Sequence, residues 1–342
     1  MPKRRASLWL AVIGALLTAW PAWAGPVMDR VQAKKLLRCG VSEGIPGFSV
    51  RADGGRWTGM DADFCRAVAA AAIGDPEKVE FVPLTAAGRF PALKGGRVDV
   101  LARLTTRTLG REANLGTEFA GTLYHDGQAF LVAAADTAER PEDLSGRPIC
   151  VARGSTHEVN LVDYFQARGL ACRPVVVDSI LPALERLGAG ECAAVTSDAT
   201  ALAELQRLAP GGAAAYRLLP ARISKEPFGP VVNRGDEGWL TLVRWVLFAL
   251  VEAEERGITA ANVRTVRDTT ADPAVKAFLG SPGDYSSALG VAPGWVVRVV
   301  EAVGNYGEVY ERNLGRQSPL NIERGHNRLW TEGGLMHAPP FR

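Results

Sequence analysis

The chain has 342 residues, 47 % of them apolar and 22 % charged, which is material for two ordinary cores and too apolar for a disordered chain. Its 39 basic and 37 acidic residues give a net charge of +2, and the longest basic cluster lies at the very start, which sets nucleic-acid binding aside. Five cysteines without a Cys-x-x-Cys pair, and four scattered histidines, argue against a metal site such as zinc.

Lys3, Arg4 and Arg5 precede an apolar run from Leu8 to Trp20, and Ala22-Trp23-Ala24 supplies small residues at a cleavage point. Residues 1–24 therefore read as a secretory signal peptide. The run is shorter than the roughly 20 apolar residues that span a bilayer, and its flanks fit a twin-arginine signal poorly. Removing it takes away three basic and no acidic residues, leaving 36 against 37 and an exported chain close to neutral.

From Leu36 onward short apolar runs alternate with helical segments, the pattern of an α/β architecture with parallel strands. Strands are expected at 37–41, 79–83, 98–101, 129–133, 149–152, 175–177 and 193–196. Phe64, Ala67, Val68, Ala71 and Ala72 stand at helical spacing in a helix over 63–73, stopped by Gly74-Asp75-Pro76. Segments 89–95 and 180–188 both read as a helix, a glycine turn and a strand, so one layout is used twice. Crossings between two lobes are expected near 125–128 and 222–229, the second rich in Pro220, Pro227, Gly229 and Pro230. Residues 239–253 form an amphipathic helix packed on the first lobe. From about 263 the chain becomes a helical extension wrapped on that lobe. The expected division is lobe 1 from 25–127 and 229–342, and lobe 2 from 128–228.

In an exported protein five cysteines allow two disulfides and one free thiol. If each lobe folds as its own unit, Cys39 pairs with Cys65, Cys150 pairs with Cys192, and Cys172 stays free. Spacing does not settle this, and five reduced, buried cysteines are the alternative.

Polar groups gather where expected strands run into helices. The stretch from Asp99 to Arg111 ends a strand in threonines and places Arg111 near a helix start, as a bidentate carboxylate partner or a solvated surface arginine. Arg153-Gly154-Ser155-Thr156-His157-Glu158 offers main-chain N–H groups to an anion, and Ser155 with Glu158 also fits a capping box. Asp198 lies at another strand-to-helix junction, as an ammonium partner or an N-cap. No Gly-x-Ser-x-Gly is present, which sets a serine hydrolase aside.

These stretches carry a resemblance, together with Cys39-Gly40-Val41, Gly47-Phe48-Ser49, residues 57–68, Ile223 to Pro230, residues 303–308 and residues 334–340. Over nearly its full length the exported chain resembles the polar amino-acid-binding proteins of ABC importers, most closely the general L-amino-acid binding subfamily. The resemblance implies a two-lobed periplasmic-binding-protein (type II) α/β fold with mixed, mainly parallel sheets and the helical C-terminal extension. It implies a periplasmic, non-enzymatic protein without cofactor that hands a free L-amino acid to ABC permease subunits. Arg111 would hold the ligand carboxylate, with backbone amides at Thr106 and Thr156. Asp198 would hold the ammonium, with the Thr106 hydroxyl and a carbonyl near Leu104. Arg103 and Ser155 complete the implied ligand set.

The sequence also departs from that pattern. Arg103-Leu104-Thr105-Thr106-Arg107-Thr108 stands where Arg-Asn-Thr-Thr-Trp-Thr is usual, Arg153 where a small or neutral polar residue is more usual, and His157 where a threonine is common. Arg107 and Arg153 near the cleft mouth would favour an acidic or amide ligand side chain. Two other readings share the scaffold: a cyclohexadienyl-type dehydratase, with Glu43 or Glu158 as the general acid, and a sensory subunit.

Overall fold

The computed structural model describes residues 25–209, 211–280 and 285–341, so the leader expected at 1–24 lies outside the described residues. The chain opens with α1 (Pro26–Lys34), β1 (Leu37–Val41), a small hairpin of β2 (Val50–Arg51) and β3 (Trp57–Thr58), and α2 (Met60–Ala72). Next come β4 (Val79–Pro83), α3 (Arg89–Lys94), β5 (Val100–Leu101), α4 (Leu109–Leu115) and β6 (Thr117–Phe119). Then β7 (Tyr124–Asp126) leads into β8 (Gln128–Ala133), β9 (Pro148–Ala152), α5 (Thr156–Gln166), β10 (Arg173–Val177), α6 (Ile180–Gly188), β11 (Ala194–Asp198), α7 (Ala199–Leu208) and β12 (Tyr216–Leu218). The chain returns through β13 (Glu226–Phe228) to β14 (Val231–Asn233) and α8 (Glu237–Glu255). It continues with α9 (Val263–Thr269), α10 (Pro273–Phe278), α11 (Ser286–Leu289), α12 (Trp295–Val303) and α13 (Tyr306–Asn313).

The strands form two five-stranded sheets with one shared layout. The first runs β4-β1-β5-β14-β6 and the second β10-β9-β11-β8-β12. In each, three parallel strands lie beside a strand that arrives from the other half of the chain, β14 in the first and β8 in the second, and that strand pairs antiparallel on both sides. The two crossings are themselves paired: β7 and β13 form an antiparallel ribbon with Asp126 opposite Glu226 and Tyr124 opposite Phe228.

Local chemistry sets these elements. In β1, Leu37, Cys39 and Val41 on one face are fully buried, and of the residues on the other face Gly40 is buried and Arg38 half-buried, as a strand covered on both faces requires. Helix α2 starts at Met60, three residues before the expected start, because Gly59 adopts φ 116° and lets the chain pack on the preceding turn. A Cβ at Gly59 would stand 2.2 Å from the Phe48 carbonyl oxygen. The first amides of α2 then bond Gly47 O and Phe48 O, each at 2.9 Å. Helix α8 is capped by Asp236, which accepts from Trp239 N at 2.9 Å and from Val27 N at 2.9 Å, tying the start of the described chain to the first sheet's helices.

Each half carries one disulfide. Cys39 in β1 is bonded to Cys65 in α2, and Cys150 in β9 to Cys192 just before β11, while Cys172 is free and half-buried. The C-terminal helices pack on the first half, with α12 against α2 and α8. The extension reaches further than the sequence suggested. Asn327 accepts from His125 N at 2.7 Å and donates to His125 O at 3.0 Å, bracketing a residue of the crossing ribbon. Arg207 of α7, on the second half, donates to Pro319 O. Among the described residues no helix is long and apolar enough to cross a membrane.

Candidate functional site

The carboxyl ends of β1, β5, β9, β10 and β11 converge on one cavity of about 70 Å³, where parallel sheets present ligand sites. From the first half, Ser42 and Glu43 follow β1, Arg89 opens α3, and Arg103, Leu104 and Thr106 follow β5. From the second, Ser155, Thr156 and His157 follow β9, Ser179 and Ile180 follow β10, and Asp198 ends β11.

The two halves touch at their threonines. Thr106 Oγ1 and Thr156 Oγ1 lie 3.4 Å apart, and both donate to Glu226 Oε2, at 2.5 and 2.9 Å. The other carboxylate oxygen accepts from Asn160 Nδ2 at 2.8 Å and Ser224 Oγ at 2.6 Å. Glu226 is 1 % exposed, a buried carboxylate held by four donors drawn from both halves and from the segment leading into β13.

Arg111 sits in the first turn of α4, where its backbone N donates to the Thr108 side chain at 3.2 Å. Its Nη1 donates to Thr106 O at 2.6 Å, and its other guanidinium N–H groups have no protein partner among the described residues. The group lies behind Thr106 rather than on the cavity wall, its central carbon 5.4 Å from the centre of the Phe90 ring. Burial pulls its pKa down to about 10, Glu226 and Asp198 oppose that fall, and the like charge of Arg103 adds to it. Leu104 is held at φ 40°, a region that favours glycine, so the cavity wall stores backbone strain of about 1–3 kcal/mol.

The second half differs from two sequence expectations. Ser155 occupies the N-cap position of α5, yet no capping box forms: its hydroxyl turns back to donate to Ala152 O at 2.6 Å, and Glu158 accepts from Gly154 N at 3.0 Å. Asp198 precedes α7 but makes no side-chain cap bond. Its Oδ1 instead lies 2.9 Å from His157 Nε2. Burial pulls the His157 pKa down, but the adjacent Asp198 carboxylate outweighs it, with Glu226 adding, and the net shift is upward. The ligand-type atoms of His157, Asp198 and Glu226 lie within 4.8 Å of one another. Glu226 is already engaged by four donors and Asp198 by His157, so the trio works as a hydrogen-bond network.

The two arginines expected at the cleft mouth do not reach the cavity. Arg107 pairs with Glu112 at 3.0 Å and Arg153 with Asp178 at 3.6 Å, both on exposed side chains, and neither lines the cavity. The lining guanidiniums belong to Arg89 and Arg103. Arg103 Nε donates to Leu84 O at 2.9 Å, and its charge faces Asp61 and Glu43. Burial raises the Asp61 carboxyl to about 7, against the pull of Arg103. Burial, with Asp198 adding, likewise raises Asp126 to about 7.

A family model for bacterial extracellular solute-binding proteins, family 3, matches residues 37–260, from β1 to just past α8. The chain belongs to the bacterial extracellular solute-binding proteins, family 3. It is 43 % identical over 336 residues to a general L-amino acid-binding periplasmic protein of Rhizobium johnstonii, covering 97 % of this chain and 98 % of that one. It is 42 % identical over 339 residues to a glutamate/glutamine/aspartate/asparagine-binding protein of Rhodobacter capsulatus, covering 99 % and 100 %. Among solved structures, a periplasmic binding protein of an ABC transporter from Brucella ovis, with glutathione bound, matches at 44 % identity and a TM-score of 0.89, over 93 % of this chain and all of that one. The extension outside the family model is thus shared with full-length relatives of this solute-binding protein.

Sequence reasoning placed Thr106, Thr156, Ser155, Leu104, Arg103 and Asp198 at the strand ends, and the fold brings all six to the cavity, with Arg111 directly behind. It missed Arg89, Glu226 and the His157–Asp198 contact. In the sequence Arg89 reads only as the start of a helix, although that helix follows β4 and so opens near the carboxyl end of a strand. Glu226 was noted only within the run Ile223 to Pro230.

Proposed function

We propose that this chain is a periplasmic solute-binding protein, exported by the leader at 1–24, that captures a free L-amino acid and hands it to ABC permease subunits without catalysing a reaction. The halves act as lobes, 25–127 with 229–342 against 128–228, and the β7–β13 ribbon is the hinge. The observation that carries this reading is the Thr106–Thr156 contact at 3.4 Å, by which ligand-type groups of both halves meet at one cavity.

A free amino acid brings an ammonium and a carboxylate that must both be partnered when water is expelled, or several kcal/mol are lost. Arg111 receives the carboxylate with its unpartnered N–H groups, helped by main-chain N–H groups at Thr106, Ser155 and Thr156. Asp198 receives the ammonium, joined by a Leu104 carbonyl and the Thr106 hydroxyl, while Arg103 lines the first lobe's side. Charge-assisted bonds worth about 1.5–3 kcal/mol each leave micromolar or tighter binding once ordering is offset. The full-length relatives named for amino acids support this class, and the one named for glutamate, glutamine, aspartate and asparagine supports an acidic or amide side chain.

The test is a thermal melt of the chain without its leader against twenty amino acids, since a ligand of the folded state raises stability by RT ln(1 + [L]/Kd). A shift for a subset that Arg111→Ala abolishes is the expected result. A flat response across the panel, or an Arg111→Ala protein that binds as tightly as the parent, refutes it.

A further inference from the structure

Arg89 is 2 % exposed and lines the cavity, yet its side chain has no hydrogen bond or ion pair to protein among the described residues, and its Nε is buried with no partner. The nearby charges do not cover it. Arg103 faces Asp61 and Glu43, Glu226 is engaged by four neutral donors, and Asp198 is held by His157. Two further cations, Arg111 and Arg103, repel it more strongly than the carboxylates of Asp198 and Glu226, neither of which it bonds, attract it. Its one close favourable contact is with the ring of Phe90, at 5.0 Å from the guanidinium carbon, and the same ring lies 5.4 Å from that of Arg111.

A buried guanidinium without a directly bonded anion is costly, and a site retains one where a ligand supplies that anion. A neutral amino acid would have its carboxylate on Arg111 and its ammonium on Asp198, leaving Arg89 unpaired. We infer that Arg89 is a specificity-determining residue that receives a second carboxylate, so that the preferred ligands are dicarboxylic α-amino acids. This rests on the clamp proposed above and names the ligand class that clamp selects. Arg89 and Arg111 share the Phe90 ring, at 5.0 and 5.4 Å from its centre, so both guanidiniums serve the same side of the site, and the planar fork of Arg89 favours a carboxylate over an amide, which offers one acceptor oxygen instead of two.

The experiment is calorimetry on the chain without its leader, at neutral pH and low salt, with L-glutamate, L-aspartate, L-glutamine, L-asparagine and glutathione. The parent, Arg89→Met and Arg89→Lys are compared, and the melting point of each ligand-free protein is recorded. The parent should bind glutamate or aspartate about 10- to 100-fold more tightly than the matching amide, the size of one charge-assisted interaction. Arg89→Met should remove that preference by weakening the acids far more than the amides, and Arg89→Lys should restore part of it. The ligand-free Arg89→Met protein should melt at or above the parent, because an unpaired buried charge has been removed.

Amide binding as tight as acid binding in the parent overturns the inference, whatever the variants do. So does tighter binding of glutathione than of either free acid, or an Arg89→Met protein in which acids and amides weaken equally. A parent that binds none of the amino acids defeats the clamp itself, an outcome distinct from loss of selectivity alone.

Discussion

His157 Nε2 and Asp198 Oδ1 lie 2.9 Å apart at the mouth of β11, so the imidazole occupies the carboxylate to which the proposed clamp assigns the incoming ammonium. Its folded-state pKa is raised above 6.5, which means the protonated pair stabilises the ligand-free protein fully below that value and the contribution is lost as pH rises through the raised pKa. Asp126, raised to about 7, acts with the same sign, while Glu226 and Arg111 face the same imidazole from the ribbon and from α4. Amino-acid affinity should therefore weaken as pH falls below the His157 transition, by up to about tenfold per pH unit for one linked proton. His157→Thr should flatten that dependence, and calorimetry from pH 5 to pH 8 reads it. An unchanged slope in the variant would remove His157 from the linkage.

Glu226 joins the ribbon to both halves, since its four donors come from Thr106, Thr156, Asn160 and Ser224. Glu226→Gln replaces an acceptor oxygen by an N–H₂ group and turns two donors against a donor. It should lower unfolding stability by about 1–3 kcal/mol, read by urea denaturation. A midpoint within error of the parent would mean the network is satisfied by water instead.

Gly154 adopts φ 70°, and a Cβ there would stand 3.0 Å from Ala87 Cα on the facing half. Gly154→Ala should act twice. Left-handed strain lowers stability by about 1–2 kcal/mol in any arrangement of the halves, whereas the collision with Ala87 arises only when they are together. Affinity should fall with a smaller ligand-induced compaction by small-angle scattering. Full compaction with parental affinity would show that Ala87 yields.

The disulfides are sheltered: Cys39, Cys65 and Cys150 are fully buried and Cys192 is 2 % exposed. A thiol reagent on the folded protein should label Cys172 alone, and slowly, because burial raises its pKa. Replacing Cys150 and Cys192 by alanine should lower stability by about 2–4 kcal/mol, as expected for a bridge spanning 42 residues. Mass spectrometry finding two or more labels on the native protein would contradict the pairing.

Much of the scaffold is legible in the sequence because it is written in local terms. The runs at 37–41 and 79–83 are strands over those residues, and α6 spans Ile180–Gly188 as its glycine stop suggests. The start of α2 is not legible, because Gly59 matters only through Phe48, which packs on it from another turn. The cavity follows the same divide. Strand ends reveal Thr106, Thr156 and Asp198, but a sequence shows that a residue is charged and not where it points. Arg107 and Arg153 face solvent, and Arg89, which faces inward, looked like an ordinary helix start. Glu226 lies 120 residues from Thr106, and no spacing rule links them.

Asn327 grips both peptide groups flanking the His125 side chain, and Arg207 reaches the same tail from the opposite half. On the hinge reading proposed above, the tail is a splint across the joint. Turning residue 125 must either carry the segment around 325–327 along or break two bonds at once, so in the proposed clamp the angle through which the jaws swing would be governed partly by residues far from any ligand.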